Sequence, residues 1–529
     1  MQKIISFLLF YLLSLPLLAD THTAGSCSIA DINTAITAAE NGDTVSVPAG
    51  DCDWNTSSAY VLVNKSIILI GAGSGPEGTN ITNTAGNADY RYNGIYVSAN
   101  DVRISGFSFT NTSATYDYFV YIATGLTGWR IDNNIFSFFK WSIISDDTDE
   151  NNLIDNNTFY GGGVQLDYGL GATAWAADTV FGTNNFTFIE DNVFSDQGSL
   201  ETFSRPVLTY SGRKVVFRYN TVKLEDTGTY KGITNHFIDA HGYGHASSEN
   251  AGRGTRAIEI YNNTVVVDGG TANYAQSAVN LRSGTGLMYN NVVWPSADYQ
   301  YSSPFYMYDW RAGGSGASAT IASVYGVAPN TDAKLYCHNP GVRLAVDRTS
   351  TSYFGSTIIG AESGASAVIV GWQSDYLYFE SVSGGPFTSG ENLTISGTVR
   401  AVATADSESY SGEGYPCVDQ VGRGKEQASE PVYMWNNKDT DGNFITTAAN
   451  GFATGYLTEN TDYFISETKP EALSAYTPYG DYVDGRYYHP MQGKEATPGT
   501  STQTGRMGIN VNGTRNAVII PGRMGITTY

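Results

Sequence analysis

Seven asparagines set the rhythm of this chain. Around Asn134, Asn157, Asn192, Asn220, Asn263, Asn291 and Asn437, the residue three positions earlier is always apolar: Ile131, Ile154, Ile189, Phe217, Ile260, Met288 and Met434. Two positions later the residue is apolar six times (Phe136, Phe159, Phe194, Val222, Val265 and Val293), with Asp439 the exception. The first six anchors are spaced by 23, 35, 28, 43 and 28 residues. Short strands recurring at such intervals, with loops of varied length, predict coils that stack their inward side chains on those of the next coil. The asparagines are expected at turns. Asn tolerates left-handed backbone, and its amide can bond the same Asn one coil away.

The pattern differs at both ends and in one internal stretch. Lys3 followed by the apolar run Ile4 to Leu18, with Leu17-Leu18-Ala19 before Asp20, reads as a secretory signal over residues 1–19. Next, Ser28 to Ala39 carries apolar residues at helical spacing, Asn41-Gly42-Asp43 stops it, and Thr44 to Val47 reads as a strand. Val61 to Ile70 continues as a strand pair. Tyr353 to Asp406 is rich in Gly, Ser and Ala with an alternating Tyr376-Leu-Tyr-Phe379, and predicts a small all-β insert. The expected division is therefore a β-helix over 20–352, the insert over 353–406, and a continuation with C-terminal cap over 407–495. Residues 496–529 form a linker and tail, in which Gly505-Arg-Met-Gly-Ile509 recurs as Gly522-Arg-Met-Gly-Ile526. That duplication reads either as a self-association tail or as a hairpin packed on the body.

Composition narrows the class. Gly is 59, Tyr 37 and charged residues only 15%, which favours strands and tight turns over helix. A net charge of −22 argues against general nucleic-acid binding. No later run approaches the roughly 20 apolar residues of a membrane span. The four cysteines suit an oxidising compartment, and the secreted protein is expected to pair Cys27 with Cys52 and Cys337 with Cys417, each bracketing a local unit.

The segments Ala39-Glu-Asn-Gly-Asp43-Thr-Val-Ser-Val-Pro48-Ala-Gly50, the asparagine-anchored rungs, Tyr415-Pro-Cys-Val-Asp-Gln-Val-Gly-Arg-Gly424 and Tyr487-Tyr-His-Pro490 carry a family resemblance. Over residues 26–345 and 410–490 the chain resembles bacterial right-handed parallel β-helix proteins of the pectate-lyase-like (pectin lyase-like) superfamily. The resemblance implies an all-β solenoid with an N-terminal capping helix. It also implies a polysaccharide lyase, a glycoside hydrolase, an esterase, or a phage-tail depolymerase or adhesin, among which fold does not choose. The glycine-rich insert resembles β modules of phage structural proteins. No complete catalytic signature of pectate lyase or of polygalacturonase is present.

Candidate chemistry concentrates in residues 201–290, which hold nine of the 29 Lys and Arg and three of the six His. The longest gap among the first six anchors contains Asn235-His236-Phe-Ile-Asp239-Ala-His241-Gly-Tyr243-Gly-His245 and Gly252-Arg253-Gly-Thr-Arg256. Long loops on a rigid scaffold are where binding residues collect. The chemistry that fits is β-elimination on an acidic polysaccharide. A cation neutralises the uronate carboxylate, a base removes the neighbouring C–H proton, and an acid protonates the leaving oxygen. Arg256 and Arg282 are the candidate neutralisers and His241 the base. Asp239 and Glu259 are candidates to orient it or hold a cation. Arg218, Arg253, His245 and Tyr243 are candidate substrate contacts. Glu259, between Ile258 and Ile260, is expected to face solvent. A hydrolase would instead use facing carboxylates, and Asp132, Asp155, Glu190 and Asp191 sit beside anchors as turn residues. Asp146 to Glu150 is one acidic cluster. Asn437, Asp439 and Asp441 form another and partly match a calcium loop, though Ala448 stands where its closing Glu belongs. The alternative function is a non-catalytic surface or fibre protein that binds glycans or self-assembles.

Overall fold

The computed structural model describes residues 19–56, 59–84, 94–112, 118–139, 141–146, 150–167, 174–175, 177–195, 205–225, 236–241, 254–268, 277–293, 304–307, 341–348, 356–373, 375–379, 381–409, 421–425, 428–450 and 457–493. The leader 1–18, Tyr243, His245, Arg253, Cys337, Cys417 and the tail 496–529 lie outside them.

Each coil contributes one strand to each of three parallel sheets, as in Arg130–Asp132, Ile135–Ser137 and Trp141–Ser145. Sheet I has 12 strands, sheet II, entered just after each anchor asparagine, has 10, and sheet III has 10. The chain is thus a parallel β-helix, and the register stacks equivalent residues directly. In sheet I, Ile131, Ile154, Ile189, Phe217, Ile260, Met288 and Met434 form one inward column. In sheet II, Phe109, Phe136, Phe159 and Phe194 form another, with centroids 5.2, 5.2 and 4.6 Å apart. Fully burying each such ring stabilises by about 1.5–3 kcal/mol.

The asparagine ladder forms and is continuous from Asn134 to Asn437. From Asn157 onward, each anchor's Oδ1 accepts from the backbone N–H of the anchor one coil earlier at 2.9–3.1 Å. Its Nδ2 donates to a backbone carbonyl of that earlier coil, as Asn220 does to Ile189 at 2.8 Å. The left-handed residue is not the anchor, however, but the one before it: Asn133, Asn156, Asp191, Tyr219, Asn262, Asn290 and Asn436, with φ between 49° and 59°. The bend must precede the anchor for its amide to point inward, so the two roles fall on adjacent residues.

The helix Ile29–Ala38 closes the N-terminal end and places Ile32, Ala35 and Ile36 in the core. The hydroxyl of Ser28 caps it by accepting from Asp31 N. Cys27 and Cys52 form the expected disulfide. The insert is an antiparallel seven-stranded unit with its own core around Leu344, Ile358, Ile369, Phe379 and Leu393. It takes in strands Val342–Arg348 and Glu408–Ser409, so it reaches further on both sides than the expected 353–406. Among the described residues no helix is long and apolar enough to cross a membrane.

Residues 470–493 fold back over the outer face of sheet I. That face is apolar four residues before several anchors (Leu153, Phe188, Val216, Leu287). Two residues before the later anchors it carries rings, with Tyr261, Tyr289 and Trp435 stacked at 4.6 and 4.2 Å. Leu473, Tyr476, Tyr479 and Met491 cover it. A sheet with both faces buried needs such a second layer.

Candidate functional site

The second layer relocates several charged candidates. Arg218 is fully buried: its guanidinium pairs with Glu190 and donates to Tyr261 Oη at 2.8 Å and Tyr479 O at 2.7 Å. Glu259 does face out of the coil, yet it is 1% exposed, because Tyr476 Oη and the Gly182 N–H donate to its carboxylate. Burial pushes its pKa above the ordinary glutamate range, against the lowering effect of those two donors. Arg256, a candidate neutraliser, is also fully buried. It makes a two-pronged pair with Glu430 at 2.7 and 2.8 Å, donates to Ala174 O and Ala177 O, and lies 5.1 Å from the Trp175 ring centre. These three residues are corrections: Glu259, expected to face solvent, and the candidates Arg218 and Arg256 are all covered by distant chain.

Asp132 and Asp155 are likewise sheltered on sheet I. Asp132 pairs with Arg103 at 2.7 Å and Asp155 with Arg130 at 2.8 Å. They therefore serve structure and do not flank a groove. Asn437 is the last rung of the ladder, with its Oδ1 bonded to Asn291 and its Nδ2 to Met288 O. Asp439 folds its own loop, accepting from Asp441 N, Asn443 N and Asn443 Nδ2 at 2.8–2.9 Å. With Asn437 turned into the coil, the three candidate calcium ligands do not form one donor set. Among the described residues no group of three His, Cys, Asp or Glu is arranged around a metal position.

Three remaining candidates among the described residues, Asp239, His241 and Arg282, converge on the outer face of sheet III. Ile238 and Ala240 point into the core, so Asp239 between them points out. Register places Leu208, Asp239, Asn280 and Tyr306 side by side on that face. Asp239 is fully buried beneath two arginines: Arg205 Nε lies 3.2 Å from Oδ2 and Arg282 Nε 3.3 Å from Oδ1, while Asn280 Nδ2 donates at 3.0 Å. Burial alone would raise the Asp239 pKa. The neighbouring charges, Arg282 foremost and then Arg205, outweigh it and hold the carboxyl below its ordinary value. Arg282 and Arg205 keep 15% and 20% of their side-chain surface open, so their charges reach solvent on that face.

His241 follows Asp239 by two residues and stands against Arg282, Nη1 to Nε2 at 3.0 Å. A guanidinium has no acceptor, so Nε2 is the acceptor and carries the lone pair. The Tyr210 ring packs on the imidazole at 4.5 Å. His236, beside Ser277 Oγ at 2.8 Å, is kept neutral by burial, which takes its pKa down to about 3. Tyr306 is half-buried; burial raises its pKa, which keeps the phenol protonated.

The sequence reading thus put three of five catalytic candidates on one face and missed Arg205, His236, Asn280 and Tyr306 as members. Arg205 and His236 stood in the basic stretch, but nothing along one strand reports which residue of the next coil lies beside it. Two arginines against one aspartate leave a net positive spot on a chain of net charge −22. Comparison with known proteins finds no matching family model, no matching curated protein and no matching solved structure.

Proposed function

We propose that the chain is an exported polysaccharide-binding protein of the pectate-lyase-like kind whose outer sheet III face carries out β-elimination on an acidic polysaccharide. The observation that supports this best is the convergence of Arg205, Arg282, His241 and Tyr306 around the fixed carboxylate of Asp239. In this reading Arg282 and Arg205 receive the uronate carboxylate and stabilise the enolate that forms when the C5 proton leaves. As Arg282 turns to the substrate it releases His241 Nε2, whose lone pair takes that proton. Tyr306, a protonated phenol on the next strand, supplies a proton to the departing glycosidic oxygen. Asp239 positions both arginines and does not touch substrate.

The test is a panel of pectate, alginate and glycosaminoglycan substrates, read by the ultraviolet absorbance of unsaturated uronate ends. Wild type should release such ends from at least one. Arg282→Ala and His241→Ala should each lower turnover per folded molecule by about a hundredfold or more, and Arg282→Ala should also lower the melting temperature, because it removes one partner of the buried Asp239 carboxylate. If wild type releases none but still retains a polymer on affinity gels, the face is a glycan-binding surface and the elimination chemistry is refuted.

A further inference from the structure

The first strand, Thr21–Thr23, pairs with Thr44–Ser46 and extends sheet I to its N-terminal edge. Just before it, the Asp20 backbone nitrogen lies 2.8 Å from Asp43 Oδ1. The other oxygen, Oδ2, accepts from Glu40 N at 2.8 Å and contacts His22 Nε2 at 3.0 Å. The Asp43 side chain is only 6% exposed, yet it sits at the residue where the sequence places a processing boundary. Oδ1 of this carboxylate would bind a charged donor at that nitrogen more strongly than a peptide N–H.

We infer that Asp43 is the receptor for the α-ammonium group of the mature chain, generated by cleavage between Ala19 and Asp20. Hydrolysis of that bond adds one water: Ala19 leaves with a carboxylate, and the Asp20 nitrogen becomes an ammonium. The nitrogen already stands at ion-pair distance from Oδ1, so the neutral contact turns into a charge-assisted one without rearrangement. The cut is constrained on its other side as well. A start beyond Thr23 would delete the edge strand, and Cys27 must remain to reach Cys52. The charged groups around the pair are His22 on the first strand, the exposed carboxylates of Asp20 and Glu40, and Lys65, whose ammonium is spent on the carbonyls of Ile36, Thr37 and Ala39.

The experiment compares four proteins: the chain starting at Asp20, released from a fusion by a protease that leaves no extra residue, the same chain with Gly-Ser ahead of Asp20, and Asp43→Asn in both forms. An ammonium that gains a partner has its folded pKa raised. Its stabilisation is therefore complete below the unfolded value of about 7.7–8.0 and fades as pH rises through the higher folded one. The free-amine chain should melt about 1–3 °C above the extended chain at pH 6.5. The gap should close above about pH 9 and be absent in the Asp43→Asn pair. His22 is present in both forms, so the difference between them reports the α-amine. Equal melting at pH 6.5, or a gap that survives Asp43→Asn, overturns the receptor role. Mass analysis of chain exported by a bacterial host should give Asp20 as first residue, and any other start overturns the assigned cut.

Discussion

Replacing Arg256 by alanine separates architecture from chemistry. The guanidinium is fully buried, holds Glu430 by two bonds at 2.7 and 2.8 Å, satisfies the carbonyls of Ala174 and Ala177, and covers Trp175. Its loss strands a carboxylate and two carbonyls. Removing one partner of a buried pair costs about 3–5 kcal/mol. The Glu430 side chain keeps 22% of its surface exposed, so it recovers some hydration, and the lower end, about 3 kcal/mol, is the expected value. Unfolding entropy of about 2.1 cal/mol/K per residue amounts to roughly 1 kcal/mol/K over a cooperative unit of this size, so the melting temperature should fall by about 3 °C. Arg256→Ala with Glu430→Ala should fall less than the sum of the single changes, because the stranded charge is gone. The assay is thermal melting by circular dichroism, with turnover per folded molecule measured in parallel. Turnover should survive Arg256→Ala. A variant that melts like wild type but has lost turnover refutes the structural role and returns Arg256 to the reacting centre.

Other consequences are as direct. Asn220→Ala removes an amide that donates to Ile189 O and Arg218 O and accepts from Asn192, leaving buried groups unpartnered; a loss of about 3 kcal/mol or more is expected by denaturant melting. Phe159→Ala, in the middle of the stacked phenylalanine column, should cost about 3–5 kcal/mol by the same measurement. Glu259 has a folded pKa raised by burial, so its contribution is full below the ordinary glutamate range and is lost as pH rises through the raised value. Glu259→Gln should accordingly flatten the decline of stability with rising pH, and an unchanged slope would contradict its burial beneath Tyr476. Excision of 342–409 should leave a soluble, β-rich protein, since that unit has its own core; wholesale insolubility of the shortened chain would count against its independence.

The solenoid was legible because its cause is local and repeats. Ile131 and Phe136 flank Asn134 in the same way that Ile189 and Phe194 flank Asn192, and stacking identical residues coil on coil is what makes the repeat stable. The cap helix and Cys27–Cys52 were legible for the same reason, being contained within one short stretch. The covering of sheet I was not. Parity told that Glu259 faces outward, but whether an outward face meets water depends on chain more than 200 residues away. One signal did exist. Leu153, Phe188, Val216 and Leu287 share the parity of Glu259, and a column of outward apolar residues demands a cover. The site was half legible. His241, Asp239 and Arg282 were read from charge density in one stretch, whereas Arg205, Asn280 and Tyr306 join them only through the sheet III register. The left-handed residue of each turn was misassigned by one position, because the ladder amide and the strained backbone are both asparagine in most coils.

Whether the outer face of sheet III holds an acidic polysaccharide can be observed without relying on turnover. Crystals of His241→Ala, which keeps both arginines and blocks proton abstraction, should be soaked with uronate oligosaccharides of increasing length. The account predicts a sugar carboxylate against Arg205 and Arg282, with the glycosidic oxygen toward Tyr306. Sugar bound on another face, or an empty sheet III face in a protein that still cleaves or retains the polymer, would contradict it.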